Sequence, residues 1–281
     1  MSDAKIPLAG VLGSPVAHSR SPILFAHWLS RYGLTGYYVP MDVSQAALPD
    51  ALSTLPRLGF VGVNVTIPHK ERALELADII SDRAAMVGAA NTLIFRKDGK
   101  IHADNTDGYG FVKNLEANAR DWRPKDGPAM IFGAGGAARA VVTALIDAGV
   151  PELHVANRTR ARAEALKAEF GAKLKVVDWV KSKDALADAL TVVNTTSLGM
   201  QGQPEFRVSL DHLSSQATVT DLVYTPLETG FLRAAGERGC DTVDGLGMLL
   251  HQAVPGFERW FVQRPEVDEE TRAAVLGGGN G

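Results

Sequence analysis

The chain has 281 residues, 46% hydrophobic and 22% charged, and 29 Lys plus Arg against 32 Asp plus Glu leave a net charge of −3. Such a composition excludes a disordered or fibrous chain, and at roughly 150 residues per domain it predicts two domains. The near balance of charge gives no electrostatic reason to expect nucleic acid or an anionic membrane as the main partner.

From the N-terminus, Asp3 and Lys5 precede a short apolar run broken by Pro7 and Gly10, which makes a poor signal peptide. No run approaches about 18 apolar residues, so no transmembrane helix is expected. Strands are predicted at 7–12, 37–41 and 59–66, with helices between them starting at Ser21 and near Gln45. Ser21 followed by Pro22 reads as an N-cap and first-turn pair. Two short runs, 90–96 and 101–104, flank Lys97-Asp98-Gly99-Lys100 and read as a hairpin, so the first sheet is expected to be mixed. The polar stretch 119–128, with Pro124, Gly127 and Pro128, is the best internal boundary by composition.

A second block then alternates strands at 129–132, 154–157, 174–178, 192–195 and 219–223 with helices from Gly136 and Arg160. Alternation of this kind implies βαβ units and parallel sheet. Cys240, the single cysteine, excludes an intrachain disulfide framework, suits a reducing cytoplasmic compartment and reads as the start of a buried strand. The four tryptophans read as packing residues, and the glycine tail 277–281 as a flexible end.

The strand 129–132 runs into Gly133-Ala134-Gly135-Gly136-Ala137-Ala138, after which an apolar helix follows. In G-x-G-x-x-A the first glycine permits the tight turn, the second lets backbone approach a pyrophosphate, and Ala138 is small enough for the helix to pack on the strand. Free N–H groups at the helix start form an anion site. A methyltransferase using S-adenosylmethionine is the rival at this point. The end of the next strand separates them. An NAD enzyme usually places a carboxylate there for the ribose hydroxyl, whereas this chain has Asn157-Arg158-Thr159, with Arg162 close behind. A guanidinium pairs with a 2′-phosphate. NADP is therefore favoured over NAD, and both over S-adenosylmethionine.

Three polar stretches in the N-terminal part remain: Gly13 to Pro22 with Ser19 and Ser21, Asn64 to Lys70, and Ala89 to Thr92 followed by Asp104 to Gly108. Singly, capping and turn formation would explain much of each.

Together they belong to a larger pattern. The blocks GSPVAHSRSP, NVTIPHK, GAANT, DNTDG, GAGGAARA, NRTRARA, NTTSLGM, DLVYTPLET and DGLGMLLHQ occur in this order, and through them the chain resembles the shikimate/quinate dehydrogenase family over nearly its whole length. The resemblance implies an α/β protein: an N-terminal substrate domain with a mainly parallel mixed sheet, and a Rossmann-type NADP-binding domain, with the active site in the cleft. The substrate domain would be 1–106 completed by helices in 245–281, and the cofactor domain 107–244, with hinges near Asp107 and Asp244. Lys70 and Asp107 would form the catalytic pair. Ser19 and Ser21 would hold the substrate carboxylate, and Thr66, Asn91 and Gln252 its ring hydroxyls, with Tyr224 nearby. Gly133, Ala134, Gly135, Gly136, Ala137, Ala138, Asn157, Arg158, Thr159 and Arg162 would bind NADP. Thr195 and Met200 would lie on the nicotinamide side, with Gly245 in the loop before the Gln252 helix. One position departs from the family: where a His usually follows the Ser-Pro motif, this chain has Phe25.

The implied activity is reversible reduction of 3-dehydroshikimate to shikimate with NADP, in aromatic amino-acid biosynthesis. A quinate or quinate/shikimate dehydrogenase is the alternative, although keeping both serines and the arginines favours shikimate and NADP. A silent NADP-binding sensor would not need Lys70 and Asp107. The resemblance implies a small-molecule substrate and a monomer or homodimer. No metal is required, and the seven His show no ligand-spaced cluster.

Overall fold

Alternating strands and helices fold into two units in the computed structural model, which describes residues 6–277. The segment carrying Asp3 and Lys5 and the glycine tail beyond Gly277 lie outside the described residues. One unit comprises the chain up to Thr106 together with the segment from Leu249 onward; the other is Asp107–Met248.

The first unit runs β1 (Leu8–Gly13), α1 (Ser21–Arg31), β2 (Tyr37–Asp42), α2 (Leu48–Thr54), β3 (Phe60–Val65), α3 (Lys70–Glu75), β4 (Ile79–Ile80), α4 (Asp82–Val87), β5 (Thr92–Phe95) and β6 (Ile101–Asp104). Its sheet order is β2-β1-β3-β5-β6-β4. β1 pairs parallel with β2 and β3, while β5 is antiparallel to β3 and β6, as a mixed sheet with a hairpin requires. The hairpin turn uses Gly99 at φ +84, a conformation that favours glycine.

α1 turns Leu24, Phe25, Trp28 and Leu29 inward at three-to-four spacing. Ser21 does not cap it. The cap position falls on Arg20, which has helical backbone and no side-chain cap bond, because the turn closed by the Ser19 N–H on the Val16 carbonyl starts the helix one residue early. The Ser19 Oγ accepts the Ser21 N–H at 3.3 Å instead, and the Ser21 hydroxyl has no capping duty.

The second unit runs α5 (Asp107–Asn118), β7 (Ala129–Phe132), α6 (Gly136–Asp147), β8 (Leu153–Ala156), α7 (Arg160–Phe170), β9 (Leu174–Val176), α8 (Ser182–Leu186), β10 (Thr191–Asn194), β11 (Thr218–Asp221), α9 (Gly230–Gly236) and β12 (Asp241–Val243). All its strand pairs are parallel, in the order β12-β11-β10-β7-β8-β9. Counted from β7, that is the 3-2-1-4-5-6 Rossmann order, with the switch point between β7 and β10. Ala156, Phe132, Asn194 and Asp221 lie in one register row, so four strands end side by side where such sheets bind ligands.

The polar stretch 119–128 is no boundary. It joins α5 to β7 inside the second unit, where the Trp122 indole N–H donates to the Thr191 hydroxyl at 3.0 Å. The chain returns to the first unit between Met248 and Leu249, within the continuous helix α10 (Leu246–Phe261), so no turn marks the crossing. α11 (Glu269–Gly277) then packs on α1, where Trp28 donates to the buried Thr271 and Arg31 pairs with Asp268 at 2.7 Å.

Candidate active site

In the second unit, the ends of β7 and β10 build a glycine turn. At Gly133 the backbone takes φ +117, and a Cβ there would lie 2.3 Å from the Thr195 Oγ1. α6 opens at Gly136 with Gly135 as an extended cap and no side-chain cap bond. Beside Gly135 and Gly136 a Cβ would meet no protein atom within 4 Å. The turn is therefore open to a ligand, and helix N–H groups without a capping side chain suit an anion. Ala138 is fully buried in the core between helix and sheet, whereas Ala137 is exposed and Ala134 half-buried.

At the end of β8, the Asn157 amide donates to the Thr159 carbonyl at 2.8 Å. Thr159 caps α7 by position only, its hydroxyl making no cap bond. Three arginines follow one another at alternate positions, and they are not equivalent. Arg160 is engaged by Asp178 and by Glu164, whereas Arg158 and Arg162 are exposed and make no ion pair among the described residues. Two guanidiniums are thus left facing solvent at a helix start, where the macrodipole disfavours cations.

Thr195 gives its N–H and its hydroxyl to the Phe132 carbonyl, at 2.8 and 2.7 Å. Met200 lies exposed further along that loop. Gly245 has a packing reason of its own, since a Cβ there would lie 2.5 Å from the Leu222 carbonyl oxygen. Tyr224 stands half-buried beside a cis Thr225-Pro226 bond. Beneath these loops sequence reasoning missed a buried pair: Asn194 and Asp221, joined at 2.9 Å. Each ends a buried run of β-branched residues, TVVN and TVTD, and a polar residue closing such a parallel strand is the signal that could have found them.

In the first unit, Asn91 is the centre. Its Nδ2 donates to the Thr106 Oγ1 at 2.9 Å and to the Gln252 Oε1 at 3.1 Å, and its Oδ1 accepts the Thr106 N–H at 2.9 Å. Asn91 and Gln252 are thus brought together from positions far apart in sequence. Asn64, also missed, is held at both ends of its amide: its Nδ2 donates to the Asn91 carbonyl and to the Thr92 Oγ1, and its Oδ1 accepts from Tyr38 at 2.8 Å. Burial raises the Tyr38 phenol above its usual range, which keeps it a neutral donor.

Thr66 follows β3 and gives its N–H to the Leu12 carbonyl at 2.9 Å, and Lys70 opens α3 with its carbonyl accepting the Ala90 N–H at 2.9 Å. Lys70 is therefore anchored one residue from Asn91. Asp107, by contrast, is the first residue of α5 and of the second unit. Asp104, in the same DNTDG run, is opposed by burial, yet Arg83 and Ser81 hold its carboxyl below the usual range. Phe25 is fully buried, stacked on Tyr38 at 3.8 Å between centroids and surrounded by Trp28, Phe257 and Trp260. The departure from the family pattern is thus a core aromatic behind the Ser19/Ser21 turn.

Residues 11–93 match the family model described as the shikimate dehydrogenase substrate binding domain, and residues 117–201 match the shikimate / quinate 5-dehydrogenase model. A protein of Cereibacter sphaeroides (strain ATCC 17025) named shikimate dehydrogenase (NADP(+)) is 68% identical over 272 residues, 97% of this chain and 98% of its own. The chain belongs to the shikimate dehydrogenase family. Within that family, its fold is similar to shikimate 5-dehydrogenase of Thermus thermophilus in complex with NADP(H) and shikimate, with TM-score 0.86 and 38% identity over 97% of this chain and 99% of that one. It is also similar to quinate dehydrogenase of Corynebacterium glutamicum in complex with NAD, with TM-score 0.89 and 33% identity over 97% and 99%.

Proposed function

We propose that this chain is an NADP-dependent shikimate dehydrogenase, an oxidoreductase that interconverts 3-dehydroshikimate and shikimate in aromatic amino-acid biosynthesis. The observation that carries the cofactor choice is the pair of exposed arginines, Arg158 and Arg162, without an ion pair among the described residues, at a strand end that lacks a carboxylate. The open, uncapped turn at Gly135 and Gly136 fits the pyrophosphate, with Asn157 and Thr159 beside the arginines for the 2′-phosphate. In this reading Thr195, Met200 and Gly245 serve the nicotinamide end.

When bound, NADP would supply the hydride acceptor for oxidation of the alcohol carbon and, in its reduced form, the hydride donor for the reverse direction. The protein's part is to hold that carbon and to exchange the hydroxyl proton. Lys70 takes the proton during oxidation and gives it back during reduction, and Asp107 orients the hydroxyl. Ser19 and Ser21 hold the carboxylate, and Thr66, Asn91, Tyr224 and Gln252 hold the hydroxyls. We place the enzyme in the cytoplasm, as a monomer or homodimer acting on a small molecule. Among the described residues no helix is long and apolar enough to cross a membrane.

The test is the initial rate of reduced-cofactor formation with shikimate or quinate, each with NADP⁺ or NAD⁺. A kcat/KM for shikimate with NADP⁺ at least about tenfold above the other three is expected, a difference of about 1.4 kcal/mol in transition-state stabilisation. A preference for quinate would move the function to the alternative, which the similarity to the quinate enzyme and the buried Phe25 keep in view.

A further inference from the structure

Asp221 ends β11 fully buried, and among the described residues no cation pairs with it. Its Oδ1 accepts the Asn194 Nδ2 at 2.9 Å and the Val223 N–H at 3.0 Å, and its Oδ2 accepts the Thr229 hydroxyl at 2.8 Å. Burial pushes the carboxyl up to about 6 against these three donors. An uncompensated buried charge is costly, and an apolar residue would close a parallel strand as well. The fold alone gives no reason for it.

The bonds themselves show what the carboxylate does. Each leads into a different stretch of the two loops beyond β10 and β11. Asn194, oriented by Asp221, accepts the Thr196 N–H at 3.0 Å and the Thr196 hydroxyl at 2.7 Å, and donates to the Leu198 carbonyl at 3.1 Å. The Val223 bond sets the backbone one residue before Tyr224. Thr229 closes the second loop and caps α9 through the Leu232 N–H. The Gln201 N–H then joins the two loops at the Thr225 carbonyl, at 2.9 Å. Thr195, Met200 and Tyr224 all lie on backbone held from this one side chain.

We propose that Asp221 is a positioning residue that fixes loops 195–201 and 222–229 together for the nicotinamide end of bound NADP, leaving the adenine end to Arg158 and Arg162. The proposal rests on the NADP reading above. It predicts a split that a general structural role would not produce. Damage to the hub weakens the whole cofactor but not a fragment that lacks the nicotinamide.

Asp221→Asn keeps size and one acceptor oxygen but turns an N–H toward Thr229; Thr229→Val removes that donor from the other side. The dissociation constants of NADPH, by its fluorescence, and of adenosine 2′,5′-bisphosphate, by calorimetry, are measured for the unaltered protein and both variants. NADPH is expected to bind about tenfold more weakly in each variant, the loss of one charge-assisted hydrogen bond, while the bisphosphate stays within about twofold. Equal weakening of both ligands, or of neither, overturns the proposal. If Asp221→Asn does not fold, Thr229→Val decides it by the same comparison. If the unaltered protein binds NADPH but does not turn over shikimate, the substrate reading fails and the two dissociation constants still decide this one. If it binds neither ligand, the cofactor reading falls and takes this proposal with it.

Discussion

The Thr195 side chain sits directly against the first glycine of the cofactor turn, bound to the Phe132 carbonyl at 2.7 Å where a Gly133 Cβ would intrude to 2.3 Å. Gly133 is thus required by the protein, in both its φ of +117 and its space. Gly135 is required by nothing in the protein, for its φ of −99 suits any residue and its surroundings are open. The two glycines separate stability from binding. Gly133→Ala is expected to lower stability by about 1–3 kcal/mol, the cost of a strained backbone, and thermal melts check it. Gly135→Ala is expected to leave the melt unchanged and to weaken NADPH at least about tenfold, read by fluorescence titration.

Lys70→Ala should lower kcat by about a hundredfold or more, the usual worth of a positioned proton-exchanging group, with the KM for shikimate changed only a few-fold. Steady-state rates over a range of shikimate and NADP⁺ concentrations check it. An unchanged kcat with a raised KM would make Lys70 a binding group.

Arg158→Ser and Arg162→Ser remove the two guanidiniums that no carboxylate of the described residues engages. Each should raise the KM for NADP⁺ by about tenfold and leave that for NAD⁺ within about twofold, since only the 2′-phosphate loses a charged hydrogen bond. Arg160→Ser, whose guanidinium is already held by Asp178 and Glu164, is the control and should change neither by more than about twofold.

Asp221 also predicts a pH dependence of stability. Its folded carboxyl lies at about 6 against an ordinary value of 3.8, so the folded state holds the proton more tightly. That contribution to stability is fully present below about pH 4 and is lost as pH rises through 6, on the order of 3 kcal/mol in all. Asp221→Asn cannot titrate. The unfolding free energy of the variant relative to the unaltered protein should therefore rise between pH 4 and 6.5 and stay level above, as urea titrations at intervals of pH would show.

Phe25→Ala would empty the centre of an aromatic cluster that includes Tyr38, Trp28 and Phe257. A loss of about 3–5 kcal/mol is expected, seen as a lower urea midpoint with an unchanged slope.

Much of this architecture is legible in the chain because periodicity reports burial. The strand before Gly133, the helix after it and the Asp-Gly hairpin all follow from spacing and turn chemistry. β4 does not, because two residues carry no period. Composition misleads at 119–128, where a polar run reports exposure and not a domain edge. Site residues inside quoted motifs are legible by type, but their partners are not. Nothing in the sequence tells that Arg160 is engaged while Arg158 and Arg162 are not, because that depends on Asp178 arriving from the strand end beyond α7. Asp221 is legible only as a polar residue closing a strand, not as a buried one: a carboxylate before a loop looks solvated until the fold encloses it.

The discontinuity of the first unit has a consequence for biosynthesis. Asp107–Met248 is one uninterrupted stretch, and its sheet holds every strand it needs as soon as that stretch leaves the ribosome. The first unit has all its strands earlier, yet Phe257 and Trp260, which enclose Phe25, are translated only after the whole of Asp107–Met248. During elongation the inner face of α1 is therefore uncovered, an apolar surface of the kind that chaperones shield. The core of the first unit closes only after the second unit has been made.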